Sequence, residues 1–147
     1  MARLWTAGVF GLILCGLSAV GCGPKMPDEG PVVVIQGRLT NAGEPLTVKG
    51  REIGLGFVEL RFCKYEGEGK PVARNDIFPA QADASGNFKL LGRFGRGIPP
   101  GKYRIAVRQW DPYPQHDDLG GKFDEQHSPI IRDINRNESL EIDLSKP

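Results

Sequence analysis

The segment from Gly101 to Arg108 alternates between apolar and mostly polar residues, and this alternation most constrains what the chain can fold into. Every second residue is large and apolar, namely Tyr103, Ile105 and Val107. The same period of two recurs in Val58–Phe62. Short runs of this kind, separated by clusters of Gly, Pro, Asn and Asp, predict an all-β domain, because alternate side chains of a strand face opposite sides. No amphipathic helix of useful length is predicted.

Further strands follow from the same pattern. They are predicted at Val32–Thr40, Ala80–Asp83, Phe88–Leu90, Ile130–Ile134 and Leu140–Leu144. The fragment from Asp83 to Phe88 predicts a hairpin in which Gly86 takes a positive φ, Asp83 binds turn amides and Phe88 enters the core. The segment from Trp110 to Ser128 has no period and is predicted to be a long loop.

The N-terminus has the composition of an export signal. A single basic residue, Arg3, precedes the apolar stretch Thr6–Val20. The stretch ends in Ala19-Val20-Gly21-Cys22, which resembles the bacterial lipobox, where the cysteine receives lipid and becomes the mature N-terminus. We therefore expect a signal peptide over residues 1–21, lipidation at Cys22, a flexible tether over 22–30 and one domain over 31–147. A transmembrane anchor and an ordinary secretory cleavage site are the alternatives.

The net charge and the cysteine content exclude two features, a bulk attraction to nucleic acid and a disulfide framework. The chain has 19 basic and 18 acidic residues, for a formal charge of +1, so bulk electrostatics gives no attraction to nucleic acid. Of the three cysteines, Cys15 lies in the leader and Cys22 is the expected lipid site, so no disulfide framework is available. Cys63 lacks a histidine nearby in sequence and is interpreted as a structural thiol at a strand end, with an intermolecular bridge as the alternative.

Three ordered fragments resemble a known family. They are Gln36–Leu39 with Gly43–Leu46, then Asp83–Phe88, then Gly97–Ile105. Together they are similar to the carboxypeptidase regulatory-like and transthyretin-like domains of bacterial lipoproteins, over roughly Val32–Leu144. The resemblance implies a seven-stranded antiparallel prealbumin-like β-sandwich of the Ig-like class. It also implies a binding or scaffolding role in the cell envelope, and it transfers no catalytic residue.

Two groups of residues are candidate binding elements. Trp110 and Tyr113 could present aromatic rings to a sugar or a peptide, whereas packing of these rings onto the domain is the simpler interpretation. Arg104 and Arg108 share one face of a strand and, with the glycine-rich loop Gly92–Gly97, could form a basic patch for an acidic partner or polysaccharide. Solvation of these arginines is the alternative. The loop lacks the Lys-Ser/Thr ending of a phosphate-binding loop.

Neither catalysis nor metal binding has positive support in the sequence. His116 and His127 lie among several carboxylates, which are Asp111, Asp117, Asp118, Asp124 and Glu125. Their spacing fits no recognised metal motif, so solvated loop charge is the favoured interpretation, and a metal-dependent accessory enzyme is the alternative. No Gly-x-Ser-x-Gly elbow occurs. We expect no catalytic residue and no cofactor. The expected partners are a membrane, through the N-terminal lipid facing the periplasm or exterior, and an envelope protein or polysaccharide.

Overall fold

The computed structural model describes residues 30–112 and 115–147, and Cys22 and Tyr113 lie outside these residues. The described chain is mostly β, with eight strands in one curled, mixed sheet. The strands are β1 (Ile35–Thr40), β2 (Phe57–Lys64), β3 (Ile77–Ala82), β4 (Asn87–Leu90), β5 (Gly101–Pro112), β6 (Gln115–Asp117), β7 (Ile131–Ile134) and β8 (Glu138–Asp143). Single 3-10 turns occur at Arg51–Ile53 and Arg74–Asp76. No helix in the described ranges is long and apolar enough to cross a membrane.

The strand order is β6-β5-β2-β3-β4-β1-β8, and β7 pairs with β5. The all-β prediction is confirmed, but the structure differs from seven antiparallel strands. It has eight strands, and β1 and β8 run parallel. The difference arises because β7 and β8 do not pair with each other across the polar turn that joins them. β7 adds to β5 and β8 adds to β1, and alternation within a strand does not specify its neighbour.

The predicted hairpin joins β3 to β4. Gly86 has a φ of 82°, and a Cβ there would lie 2.3 Å from the carbonyl oxygen of Leu39. The backbone N–H groups of Ser85 and Asn87 donate to Asp83 Oδ1 at 2.8 and 2.9 Å. Phe88 is buried. The prediction for this turn is therefore confirmed, although β3 begins at Ile77, before the predicted start.

The core lies inside the curl of the sheet. The inward positions of β2 and β5 are buried completely or nearly so, and they are Val58, Leu60, Phe62, Tyr103, Ile105 and Val107. Three isoleucines outside the long strands, Ile98, Ile130 and Ile134, are also fully buried and belong to the same cluster. The predicted apolar faces of β2 and β5 are thus confirmed as core faces.

The long-loop prediction for Trp110–Ser128 is wrong in its first part. β5 continues through Trp110 to Pro112 and pairs with β6. The rest of the segment follows the edge of β5, where Val107 N–H donates to the carbonyl of Phe123 and Ile105 N–H to that of Ile130, both at 2.8 Å. Backbone groups at an edge need such partners when they are buried. The segment therefore satisfies backbone groups along the edge of β5 that β6 and β7 leave unpaired.

Candidate functional site

Three arginines lie on the outer face of β2 and β5, and we call them the arginine face: Arg61, Arg104 and Arg108. The register of the two strands sets this arrangement, since Cys63 is opposite Arg104 and Glu59 is opposite Arg108. Residues two apart on a strand share a face. The arginine side chains are 31%, 10% and 26% exposed, respectively, so none is simply solvated.

Glu125 connects two members of the arginine face. Its Oε1 lies 2.7 Å from Arg61 Nη1 and its Oε2 lies 2.5 Å from Arg108 Nη2. Arg61 also pairs with Glu59 at 3.0 Å. Burial acts to raise the pKa of Glu125, but the hydrogen bonds from Arg108 and Arg61 outweigh burial and leave that pKa below its ordinary value. The carboxylate is therefore ionised and held between two guanidinium groups.

Arg104 is the most deeply buried arginine of this face, with only 8% of the residue exposed. Its Nη1 donates to the carbonyl of Gln126 at 2.5 Å, and its Nη2 donates to Glu68 Oε1 at 2.6 Å. The ring of Tyr65 lies 5.0 Å from the guanidinium carbon. Arg104 Nε is buried and has no hydrogen-bond partner. A buried N–H without a partner costs free energy, so a ligand that accepts a hydrogen bond from this group would stabilise it.

Glu68 is the exposed partner of this buried arginine. Its side chain is 73% exposed, and it also accepts a hydrogen bond from the Tyr65 hydroxyl at 2.9 Å. The hydrogen bonds from Arg104 and Tyr65 lower the pKa of Glu68 below its ordinary value. Because solvent screens an exposed carboxylate, its pairing is weak compared with a buried pair. A carboxylate from another molecule could therefore take its place.

A cavity of about 460 Å³ adjoins Arg104, and we call it the Arg104 cavity. Residues that line it include Lys70, Val72, Ile77, Arg104, Glu125 and Gln126. Two cations and one anion surround the space, and valine and isoleucine give it an apolar wall. A pocket that combines apolar walls with a few charged groups suits a small ligand group. The guanidinium favours a carboxylate, which it can bind with two parallel hydrogen bonds.

Cys63 lies opposite Arg104 and is fully buried. Burial and the nearby charge of Glu125 raise the pKa of its thiol to about 12. Its Sγ is 3.7 Å from the carbonyl oxygen of Arg61. Its burial and its position near the end of β2 agree with the interpretation of Cys63 as a structural thiol.

Trp110 lies on β5 and packs among its neighbours. Its ring centre is 6.4 Å from that of Phe57 and 5.7 Å from the guanidinium carbon of Arg108. Trp110 is partly buried, which agrees with the packing alternative. Tyr113 and Cys22 were the other predicted site residues, and both lie outside the described residues.

The predicted cluster of histidines and carboxylates divides into separate pairs. His116 Nε2 lies 2.8 Å from Asp118, and His127 Nδ1 lies 2.8 Å from Asp124. Asp117 accepts the backbone N–H of Gln109 on β5 and those of Leu119 and Gly121 after β6. Nowhere in the described chain do three His, Cys, Asp or Glu side chains group as they would around a metal ion.

Part of this site could be predicted from the sequence. The alternation of β5 predicts Arg104 and Arg108 on one face, and the loop Gly92–Gly97 was expected beside them. Arg93 of that loop instead donates to the carbonyl of Asn75 and lies over the ring of Phe78. Glu68 and Glu125 were not predicted as the partners of the arginines. Arg61 could have been predicted as a member of the arginine face, because the alternation of β2 places it on the outer side of that strand.

The comparisons with known proteins add no assignment. No protein-family model, curated protein or solved structure matches the chain.

Proposed function

We propose that the chain is a non-catalytic binding module, anchored by lipid at Cys22 to a bacterial cell-envelope membrane, whose Arg104 cavity takes a carboxylate of an acidic envelope protein. One observation carries the choice of ligand. Arg104 is 8% exposed, its Nε has no hydrogen-bond partner among residues 30–112 and 115–147, and its Nη2 donates to the exposed Glu68. A ligand carboxylate can replace Glu68 and satisfy the unused donor as well.

The lining of the cavity supports a protein carboxylate over a sugar acid. Val72 and Ile77 form an apolar wall beside Arg104, and an aliphatic neighbour of a carboxylate in a peptide would cover that wall. A uronic acid would instead place hydroxyl groups against it without hydrogen-bond partners. The guanidinium of Arg104 offers planar N–H donors in a fixed arrangement, which suits it to binding a carboxylate.

Calorimetric titration of the full chain with polyglutamate tests this proposal, and polygalacturonate serves as the sugar-acid probe. We expect polyglutamate to bind, and Arg104→Gln to weaken this binding at least tenfold. Arg38→Gln is the matched control, since Arg38 is exposed on β1 and contacts the carbonyl of Ser85. Equal binding by wild type and Arg104→Gln would contradict the proposed site. Preference for polygalacturonate would contradict a protein partner.

The lipid anchor is tested separately by intact mass spectrometry of the protein from a bacterial membrane fraction. The leader composition and the Ala19–Cys22 sequence support the anchor. Wild type is expected to begin at Cys22 with the added mass of acyl chains, which Cys22→Ala lacks. Retention of the leader, or its removal without lipid, would contradict the anchor.

We also propose that the domain is related to the carboxypeptidase regulatory-like and transthyretin-like domains. The ordered fragments quoted above support the relation. Two of them perform defined folding tasks here, since Asp83–Phe88 forms the β3–β4 turn and the Tyr103 hydroxyl donates to the carbonyl of Pro99 at 2.6 Å. The register of β3 with β4 is a single pair, Ala82 opposite Phe88, so the curl has two halves that meet there. An experimental structure in which these halves pack face to face as separate sheets would support the sandwich, and a continuous ladder from β3 to β4 would contradict it.

A further inference from the structure

The loop between β4 and β5, here the 91–97 loop, carries two exposed apolar side chains. Leu91 is 42% exposed and Phe94 is 45% exposed. Arg93 and Arg96 flank Phe94 in sequence, and the guanidinium carbon of Arg96 lies 5.7 Å from the centre of the Phe94 ring. Aromatic and aliphatic side chains interspersed with arginines are typical of segments that bind a membrane interface, where the rings enter and the charges contact headgroups.

The base of the 91–97 loop is firmly held. Gly97 N–H donates to the carbonyl of Leu91 at 2.8 Å. Gly92 has a φ of 63°, and a Cβ there would lie 1.6 Å from the carbonyl oxygen of Gly97. The two ends of the loop are therefore in contact, and the residues between them form one closed projection with Phe94 in its middle.

The chain enters the domain beside this loop. Val33 and Ile98 exchange two backbone hydrogen bonds of 2.8 and 2.9 Å, and Ile98 directly follows the loop. The eight residue steps from Cys22 to Gly30 can span at most about 28 Å, at about 3.5 Å per residue. A lipid on Cys22 would therefore limit Gly30, three residues before Val33, to within about 28 Å of the lipidated residue.

We propose that the 91–97 loop inserts Phe94 and Leu91 into the interface of the membrane that holds the lipid, with Arg96 against anionic headgroups. This inference rests on the proposed lipid anchor at Cys22. The loop is a second attachment point, and it fixes the orientation of the domain. The Arg51–Ile53 turn then faces away from the membrane.

The opposite end of the sheet offers a matched control. Ile53 is 68% exposed and Leu55 is 43% exposed, so this end is also apolar. Arg51 Nη1 donates to the carbonyl of Ala82 at 2.9 Å. Arg93 of the 91–97 loop donates instead to the carbonyl of Asn75, just before β3 begins at Ile77, so the two segments contact opposite ends of β3. The two ends differ in their distance from the start of the domain, because Val33 pairs with Ile98 beside the 91–97 loop and not beside the Arg51–Ile53 turn.

Tryptophan quenching by brominated lipid tests the orientation. The full chain from bacterial membranes is reconstituted into vesicles of brominated phosphatidylcholine and phosphatidylglycerol, and vesicle flotation reports the anchor. The lipidated chain that begins at Cys22 has lost Trp5 with the leader and keeps Trp110. Against that wild-type background, Phe94→Trp is expected to lose more than half of its added fluorescence. Ile53→Trp is expected to lose none. Arg96→Gln in the Phe94→Trp chain is expected to reduce quenching on vesicles with phosphatidylglycerol.

The possible outcomes separate the two proposals. Flotation without quenching of Phe94→Trp leaves the lipid anchor intact and overturns the loop insertion. Equal quenching of Phe94→Trp and Ile53→Trp also overturns it, because apolar exposure alone would then explain the result. Failure of the wild-type chain to float overturns the anchor and, with it, the insertion that depends on the anchor.

Discussion

The two faces of β2 and β5 differ in where their partners come from. The inner face packs local, alternating apolar residues such as Leu60 and Ile105 into the core. On the outer face, Arg104 depends on Glu68, 36 residues earlier, and on Gln126, 22 residues later. The inner face is therefore buried by the alternating residues of the strands themselves, whereas the outer face holds charges paired with residues far away in the sequence. This contrast supports the proposal that a ligand binds at the outer face.

Truncation of an inner-face ring is the largest change expected. Phe62 is fully buried, and its ring centre is 6.1 Å from that of Phe88. Phe62→Ala is expected to lower the free energy of unfolding by about 3–5 kcal/mol, because it removes apolar burial and leaves a cavity. Denaturant titration measures this loss. Lys64→Ala, at an exposed position of the same strand, is the control. An equal loss in both variants would contradict the inner-face account.

Removal of the shared carboxylate on the outer face should have an intermediate effect. Glu125→Gln leaves Arg61 and Arg108 partly buried without that negative partner. We expect a loss of about 1–3 kcal/mol, discounted from a fully buried pair because all three side chains keep some exposure. Glu141→Gln on the exposed side of β8 is the control. Denaturant titrations that agree for both variants and wild type would show that this network adds no stability.

The loss of unfolding free energy at acid pH should depend on Glu125. Its folded pKa is lowered, since hydrogen bonds from Arg108 and Arg61 overcome the opposing effect of burial. Its contribution is therefore present above its unfolded pKa of about 4.3 and is lost as pH falls through the lower folded value. Denaturant midpoints measured from pH 7 down to acid should fall less steeply in Glu125→Gln. Parallel curves for the two proteins would contradict this prediction.

The smallest stability change is expected on substitution of Glu68. The same substitution is expected to strengthen ligand binding. Because the Glu68 side chain is 73% exposed, Glu68→Gln should leave the thermal midpoint nearly unchanged. The same variant should bind polyglutamate more tightly, because the internal competitor for Arg104 has lost its charge. Calorimetry compares it with Glu66→Gln as a neighbouring control. Weaker binding by Glu68→Gln would mean that Glu68 does not compete with the ligand.

The features that could be predicted from the sequence are those that depend on residues close together in the chain. The periods of Val58–Phe62 and Tyr103–Val107, and the turn at Gly86, depend on neighbours within a few positions, and their predictions are confirmed. The parallel pairing of β1 with β8 and the extension of β5 through Trp110 depend on which strands meet. Alternation cannot specify that. The partners of Arg104 were missed for the same reason, since Glu68 and Gln126 reach it only after the sheet has formed.

The most direct test of the outer-face account is nuclear magnetic resonance of the Arg104 Nε–Hε group in the full chain, titrated with N-acetylleucine. N-acetylleucinamide, which lacks the charge, is the matched control ligand. We predict a saturable shift of this resonance with the carboxylate alone, at a lower ligand concentration in Glu68→Gln than in wild type. An unchanged Arg104 resonance, or an equal shift with the amide, would contradict the assignment of the Arg104 cavity as a carboxylate site.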